Sequence, residues 1–439
     1  MTDTIDIPPD LVHALTTGRC IAFVGAGFSA AAQLPTWTEL LRALAQEDGV
    51  PPDVRQYVDA ALQAGTGHRH EEAAQILYYA LGRRAFVQAL HRRLAGRPLT
   101  PPMQQRLALL GGIPFRFILT TNFDDVLAGH RATPETFARV LRGGEDVADG
   151  FSIPGFPPLD LHRDPRHVIK LHGDLAHPDS VVFSRLDYRE RLYRDASYLG
   201  FLRAVFLHHT VLYLGFSFTD TYLNELRSEV LAMLGPGTPE PPLAYAVMND
   251  VPAVAREHLR KTEGIEVIGF DSRGFRDFSG FDRILASLHD ATSPVARFGR
   301  LLRGRRILWL DPRPESVDAY ARDFFDRAGA VNGETSHVVA FAGTPAEALA
   351  QLRAEPFDLV ITHWGHGLGE AEDESAAVSL LRGVRRDDVR VPVVVFASGA
   401  HIESNKPAAL RLGAQGYFYS WRALTEAIRR VFDPGLETG

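Results

Sequence analysis

Short apolar runs, each followed directly by small or polar residues, recur along the first two-thirds of the chain. They predict strands at 21–24, 115–119, 168–171, 210–214, 243–248 and 265–268, and a further short strand at 181–183. Continuous apolar runs of this length are typical of parallel strands buried on both faces. Because helical spacing separates most of them, the pattern predicts an α/β fold with a Rossmann-like, doubly wound parallel sheet.

Two stretches between these strands carry apolar residues at three- and four-residue intervals, which favours helices. Residues 36–110 predict a helical insertion, punctuated by Pro51-Pro52 and Pro101-Pro102, and residues 186–209 predict a second helical stretch. Residues 130–165 are rich in glycine, proline and charge, so we expect irregular structure there.

A second α/β pattern begins near residue 305. It predicts strands at 307–310, 338–341, 359–362, 393–396 and 416–419, with helices at 317–328, 345–354, 375–385, 406–412 and 422–432. The chain is therefore predicted to hold a domain at 1–290, a linker at 291–304 and a smaller doubly wound domain at 305–439. Five arginines between Arg297 and Arg306 fit a solvated hinge better than a surface for nucleic acid or an acidic partner.

Composition narrows the functional classes. The chain has 439 residues, 45% of them hydrophobic, and 47 basic against 54 acidic residues give a net charge of −7. Nothing in this balance predicts direct nucleic-acid binding. The one cysteine, Cys20, excludes an intramolecular disulfide framework, and beside a core strand it is expected to be a small buried hydrophobe. No apolar run predicts a membrane span or a signal region, so we expect a cytoplasmic protein.

The stretch after the first predicted strand has the features of a phosphate-binding turn. Gly25-Ala26-Gly27 follows the strand, and Phe28-Ser29 and the alanines after it can begin a helix. Glycines allow close approach of the backbone, and a helix N-terminus favours negative charge. An ordinary tight turn between a strand and a helix is the alternative. Since ligands bind outside the carboxyl ends of parallel strands, the polar residues after the other strands are expected to converge on one crevice.

Four motifs at strand ends, taken in order, resemble sirtuin-like domains. They are Gly25-Ala26-Gly27-Phe28-Ser29, Thr121-Asn122-Phe123-Asp124, Lys170-Leu171-His172-Gly173 and Gly215-Phe216-Ser217-Phe218-Thr219-Asp220. Together they are more similar to the bacterial sirtuin-like NAD hydrolases than to the protein deacylases. The resemblance covers about residues 10–290.

The resemblance implies NAD as substrate and assigns roles to particular residues. Asn122 and His172 are the expected catalytic pair: Asn122 would position a water or a ribose hydroxyl, and His172 would act as general base. Asp124 would fix the nicotinamide carboxamide or its own loop. The other expected contacts to NAD are Gly25, Ala26, Gly27 and Ser29 at the pyrophosphate, Gly215 and Ser217 on the adenosine side, and Asn249 at the adenine ribose.

Structural explanations of the same residues stay open. His172 alone is compatible with a buried core histidine, and Gly215 and Ser217 with a simple turn. Asn122 and Asp124 are also favoured as caps of a helix beginning at Phe123. Trp37, which the resemblance places in a segment covering the cofactor, fits the hydrophobic core equally well.

One departure from the deacylases separates the functional hypotheses. The resemblance to deacylating sirtuins would imply a four-cysteine zinc module, which a single cysteine cannot supply, so we expect no zinc or other metal. This favours hydrolysis of NAD itself. An NAD-dependent protein deacylase or ADP-ribosyltransferase is the alternative, and a non-enzymatic regulator that binds NAD or ADP-ribose is a further one.

The C-terminal pattern resembles a response-regulator receiver domain, which implies a flavodoxin-like fold. Asp311 matches one residue of the acidic pocket, but His363 stands where the phosphoacceptor aspartate is expected and Ser420 where the lysine is expected. We therefore interpret this part as a pseudo-receiver for assembly or regulation. The resemblance to the bacterial sirtuin-like NAD hydrolases implies antiphage defence, with a homo-oligomer and, as further partners, an ATPase or an Argonaute-like protein.

Overall fold

The computed structural model describes residues 7–64, 67–142, 161–163, 168–216, 218, 221–234, 241–272, 274, 277–311, 338–365, 375–397, 402–419 and 421–433. Among these residues the chain divides into two compact units, the first ending at Thr292 and the second beginning at Ser293. Three sequence predictions fall outside the described residues: the helix at 317–328 and the positions of Ser217 and Ser420.

The first unit is built on a seven-stranded, all-parallel sheet. Its strands are Cys20–Val24 (β1), Ile118–Thr120 (β2), His130–Arg131 (β3), Val168–Lys170 (β4), Thr210–Leu214 (β5), Ala244–Asn249 (β6) and Ile265–Phe270 (β7). The spatial order is β3-β4-β2-β1-β5-β6-β7, so the chain winds outward on one side of β1 and then returns to the other side. This confirms the predicted α/β class and the doubly wound sheet.

The central strand shows why the apolar runs are continuous. Cys20, Ala22 and Val24 point into one hydrophobic cluster, and Ile21 and Phe23 point into the cluster on the opposite face. All five side chains are fully buried. The same burial raises the pKa of the Cys20 thiol, so this cysteine is part of the core, as expected.

Helices cover both faces of this sheet. They are Pro9–Thr16 (α1), Ala26–Ser29 (α2), Trp37–Ala45 (α3), Pro52–Ala64 (α4), Gly67–Leu94 (α5), Pro101–Gly112 (α6), Pro134–Arg142 (α7), Arg185–Arg194 (α8), Ala196–His208 (α9), Thr221–Leu234 (α10), Ala253–Glu263 (α11) and Ser279–Thr292 (α12). Four of these helices, α3 to α6, form the helical region between β1 and β2. The long α5 bends at Gly82, whose φ of 70° and ψ of 152° are not helical.

Two local sequence predictions in this unit were wrong. Residues 181–183 form no strand, although Val181 and Phe183 are buried, because they pack into the core instead of pairing with the sheet. The stretch expected to be irregular contains β3 and α7, where β3 extends the sheet by pairing with β4.

The second unit is a five-stranded, all-parallel sheet. Its strands are Arg306–Leu310 (β8), Val338–Ala342 (β9), Leu359–Thr362 (β10), Val393–Phe396 (β11) and Gly416–Phe418 (β12), in the order β12-β11-β10-β8-β9. Numbered within the unit, this is the order 2-1-3-4-5 of flavodoxin-like folds. Its helices are Pro294–Leu302 (α13), Pro345–Ala354 (α14), Ala376–Arg386 (α15), Ile402–Arg411 (α16) and Trp421–Phe432 (α17).

Helix α13 takes up most of the stretch that was predicted as a linker at 291–304. Phe298 and Leu302 are buried in the hydrophobic cluster beside β8 and α17, so most of this stretch belongs to the second unit. Its arginines are typical of a solvated hinge. Phe298 and Leu302, four residues apart, instead favour a helix with one buried face. None of the helices that the structure describes is both long and apolar enough to cross a membrane.

Candidate active site

The four sequence motifs follow four strands that are neighbours in the sheet. His172 follows β4, Asn122 follows β2, Gly25 follows β1 and Gly215 follows β5, and the spatial order of these strands is β4-β2-β1-β5. Because all are parallel, their carboxyl ends lie at one edge, on both sides of the point where the winding reverses. That point is where open α/β sheets bind ligands.

The glycine turn packs directly against the turn after β5. The Gly27 amide donates to the Gly215 carbonyl at 2.9 Å. A Cβ at Gly25 would lie 2.6 Å from the Gly215 carbonyl oxygen, and Gly215 itself has a φ of +63°. Only glycines allow this approach of two backbones. Gly215 therefore shapes the glycine turn from behind.

Asn122 connects the glycine turn to the next strand. Its side-chain amide nitrogen donates to the Gly25 carbonyl and to the Ser29 hydroxyl, both at 3.1 Å. Asn122 and Ser29 are buried. With the nitrogen engaged in this way, the amide oxygen is the atom of Asn122 that remains for a ligand.

Asp124 is a buried carboxylate in the same network. Its side chain accepts the Val126 amide at 3.1 Å, and its backbone carbonyl accepts the buried Lys170 ammonium at 2.8 Å. Burial raises the pKa of the Asp124 carboxyl, while the Ser29 hydroxyl and the Lys170 charge oppose that rise. No helix begins at Phe123, so helix capping does not explain Asn122 and Asp124. The hydrogen bond from the Val126 amide instead ties the Asp124 carboxylate to its own loop.

His172 lies on a compact loop between β4 and α8. Its carbonyl accepts the Val182 amide at 2.9 Å, and further along the loop the Ser180 hydroxyl accepts the Asp174 amide at 3.0 Å. Its imidazole is buried, with an exposed fraction of 7%. The ring lies beside Phe123, with centroids 6.1 Å apart.

Tyr188, on α8, contacts the edge of the His172 ring. Its hydroxyl lies 2.9 Å from Nε2 and 3.4 Å from Nδ1, and the two rings are nearly perpendicular. Since the hydroxyl reaches both nitrogens, it lies in front of the ring edge between them.

These side chains surround a cavity of about 130 Å³. Five of the predicted site residues line it: Gly25, Ala26, Asn122, Asp124 and His172. The rest of its wall is mainly apolar and includes Pro35, Trp37, Leu40, Phe123, Val182, Phe183, Tyr188 and Phe216. Trp37 thus contacts both the cavity and the core, its ring centroid 5.0 Å from that of Phe183.

Four predicted residues that the structure describes do not line this cavity. Gly27, Ser29 and Gly215 lie behind its wall and support it. Asn249 ends β6, two strands from β1, where it is exposed and donates to the Asp250 carboxylate at 2.8 Å. Its predicted contact with the adenine ribose has no support from the cavity as it stands.

Sequence reasoning missed Tyr188 and the aromatic wall. Ser184 and Asp187 form a reciprocal capping box at the start of α8, a signal that locates the helix in the sequence. No local signal tells which residue of α8 faces His172.

The described residues contain no group of three or more histidine, cysteine, aspartate or glutamate side chains arranged to hold a metal.

Comparison with known proteins finds a family match within the first unit. Residues 116–268 match the family model of the SIR2-like domain. The resemblance to sirtuin-like domains is therefore confirmed, and the matched range contains Asn122, Asp124, His172 and Gly215.

Individual relatives agree with this class. The chain is 25% identical over 229 residues to NAD(+) hydrolase ThsA of Bacillus cereus (strain MSX-D12), a match that covers 50% of this chain and 42% of the relative. It is 28% identical over 221 residues to NAD(+) hydrolase ThsA of Enterococcus faecium, covering 50% and 41%. It is 21% identical over 288 residues to Defense-associated sirtuin 2 of Bacillus subtilis, covering 64% and 26%. The matches thus span less than half the length of each of these relatives.

A solved structure was also matched. The receiver domain of a Francisella response regulator aligns over 30% of this chain and 98% of its own, at 19% identity and a TM-score of 0.23.

Proposed function

We propose that this chain hydrolyses NAD⁺ at the bond between nicotinamide and ribose, giving nicotinamide and ADP-ribose. The observation that carries the proposal is the convergence of Asn122 and His172 on one cavity beside the glycine turn. The relatives named as NAD(+) hydrolases support the same reaction.

The chemistry requires a stabilised leaving group, a positioned water and a base. In the proposed reaction the bond between the ribose anomeric carbon and the nicotinamide nitrogen breaks, and its electron pair goes to that nitrogen. A water oxygen then bonds to the anomeric carbon, as in other glycosidic cleavages with an oxocarbenium-like transition state. The Asn122 amide oxygen would orient the water, and His172 would take its proton.

The surroundings of the cavity suit this reaction. Aromatic side chains of Trp37, Phe123, Phe183 and Phe216 provide faces for the nicotinamide ring and keep bulk water out. Each polar contact within such a wall is stronger than in water. Gly25 and Ala26 of the glycine turn line the cavity and would meet the phosphates, because small residues let the backbone approach a ligand closely.

A direct test follows nicotinamide and ADP-ribose after incubating the purified full chain with NAD⁺. We expect nicotinamide to be released without any acylated peptide. The rate of release should fall by about 10²- to 10⁴-fold in His172→Ala, the range for loss of a general base. His91→Ala, an exposed histidine of α5, is the matched control and should keep the wild-type rate. Asn122→Ala should also release no nicotinamide. Its melting temperature must be measured too, because Asn122 supports the glycine turn.

Other outcomes identify the alternatives. Dependence of nicotinamide release on an acylated peptide would assign the site to a deacylase or an ADP-ribosyltransferase. NAD⁺ binding without turnover in every variant would assign it to a regulator. A His172→Ala protein that hydrolyses NAD⁺ at the wild-type rate would remove His172 from the mechanism.

We propose a biological role as well. The names of the relatives support an effector of antiphage defence that depletes cytoplasmic NAD⁺. The second unit would then be a pseudo-receiver for assembly or regulation, since His363 rather than an aspartate follows β10. Homo-oligomerisation and an ATPase or Argonaute-like partner remain part of this proposal, and mass measurement in solution tests the first.

A further inference from the structure

The cavity is too small for the molecule it is proposed to bind. Its volume is about 130 Å³, whereas pockets for drug-sized ligands occupy roughly 300–1,000 Å³. A dinucleotide belongs at the upper end of that range. If the proposed function holds, some part of the wall must move before NAD⁺ can enter.

One element of the wall, helix α8, is held by polar contacts at partly exposed side chains. Of the α8 residues whose side chains are described, none is buried, and Leu186 is 54% exposed. Polar contacts hold the helix instead: Arg83 pairs with Asp187 at 3.0 Å, and Arg191 donates to the Ala132 carbonyl. Contacts between partly exposed polar side chains break at a lower cost in free energy than buried apolar packing.

Space for such a movement lies on the other side of α8. A second cavity, of about 650 Å³, is bounded by Asp187, Glu190, Arg191 and Arg194 of the helix and by the loop at 179–182. The helix therefore stands between two cavities, with Tyr188 facing the smaller one.

Tyr188 makes the contact with His172 that a water or a ribose hydroxyl of the substrate would need. A base must present a ring nitrogen to a water or a ribose hydroxyl, yet the Tyr188 hydroxyl lies within 3.4 Å of both nitrogens of His172. Its ring also lines the cavity. Tyr188 thus fills the substrate's space and occupies the hydrogen-bonding edge of the expected base.

We propose that Tyr188 and α8 form a latch that closes the site. In the closed state Tyr188 holds His172, and NAD⁺ binds only to the fraction of molecules in which α8 has moved away. This inference rests on the proposed function for the identity of the ligand. The apparent affinity for NAD⁺ is then the intrinsic affinity reduced by the open fraction, so weakening the latch tightens binding.

The test measures binding to the full chain separately from turnover. Calorimetry with carbocyclic NAD⁺, in which the nicotinamide bond cannot be hydrolysed, gives the affinity of wild type, Tyr188→Phe and Tyr188→Ala. We expect Tyr188→Phe to lower the apparent Kd roughly fivefold, the factor that one neutral hydrogen bond contributes to an equilibrium. Tyr188→Ala, which also vacates the ring's volume, should lower it further.

Tyr79→Phe is the matched control, because it removes the hydroxyl of a tyrosine that is 63% exposed on α5. Its affinity should equal that of the wild type, and melting temperatures should show that all variants fold. Unchanged or weaker binding by Tyr188→Phe and Tyr188→Ala would overturn the latch. Tighter binding without nicotinamide release by any protein would retain the latch and reject the hydrolase.

Discussion

The cavity has two walls that are built in different ways. The glycine wall, residues 25–29 with the turn at Gly215, is held by backbone contacts between adjacent strand ends and is braced from behind. There the fully buried Arg106 donates to the Phe28 carbonyl at 2.7 Å and pairs with Asp282. The histidine wall, residues 172–188, packs into the core at Val181 and Phe183, but polar contacts to Arg83 hold its loop and the start of α8. Close backbone contacts make the glycine wall suitable as a fixed site for phosphates. The polar contacts of the histidine wall allow that wall to open.

The largest effect is expected in the glycine wall. Gly25→Ala places a Cβ 2.6 Å from the Gly215 carbonyl, and neither backbone has room to yield. We expect a loss of about 2 kcal/mol in the free energy of unfolding, together with loss of NAD⁺ binding. Urea unfolding and calorimetry measure the two effects.

Gly200→Ala is the control for that substitution. Gly200 lies in α9 with no atom within 4 Å of an added Cβ, so alanine there should stabilise the protein by about 0.5 kcal/mol. A Gly25→Ala protein as stable as the wild type would show that the glycine wall is not fixed.

A smaller effect is expected in the histidine wall. Arg83 donates to the carbonyls of Pro178, Asp179 and Val181, each at 3.2 Å, and pairs with Asp187. Because its side chain is 35% exposed, Arg83→Gln should cost only about 1 kcal/mol. Amide hydrogen exchange should rise at 173–188 and stay unchanged at 21–29.

The adjacent Arg84, exposed on the same helix, supplies the control Arg84→Gln, which should change neither stability nor exchange. If amide exchange in the Arg83→Gln protein rose equally in the glycine wall and the histidine wall, the two walls would not be independent of each other.

The smallest effect concerns Asp124, between the two walls, and is expected as a change with pH. Because burial raises the pKa of Asp124 in the folded state, folding favours the protonated carboxyl. The stability that this proton contributes is present at low pH and is lost as pH rises through the raised pKa. Relative to Asp124→Asn, wild type should therefore become less stable from acidic to neutral pH in urea unfolding.

Asp48→Asn, at an exposed position, is the control and should follow the wild-type pH profile. A gap between Asp124→Asn and wild type that is constant with pH, or that changes in the opposite direction, would contradict the prediction for Asp124.

The sequence predicted the elements that local pattern controls. The apolar runs located every strand of the five-stranded sheet and six strands of the larger one, and missed the two-residue β3. The Gly25-Ala26-Gly27 turn and the positions of Asn122 and His172 were found because a strand end and its polar residues lie together in sequence. The helix at Pro294–Leu302 was not predicted, because a stretch rich in arginine is also typical of a solvated linker.

The order of apolar runs determined the fold class, and the polar residues that end these runs indicated the candidate site, because strand and helix periodicity are properties of the local chain. Only the tertiary structure decided that β4, β2, β1 and β5 are neighbours, which makes Gly215 a support for the glycine turn and leaves Asn249 outside the cavity. It alone also brought Tyr188 to the edge of His172, because the angle at which a polar helix packs depends on distant partners such as Arg83.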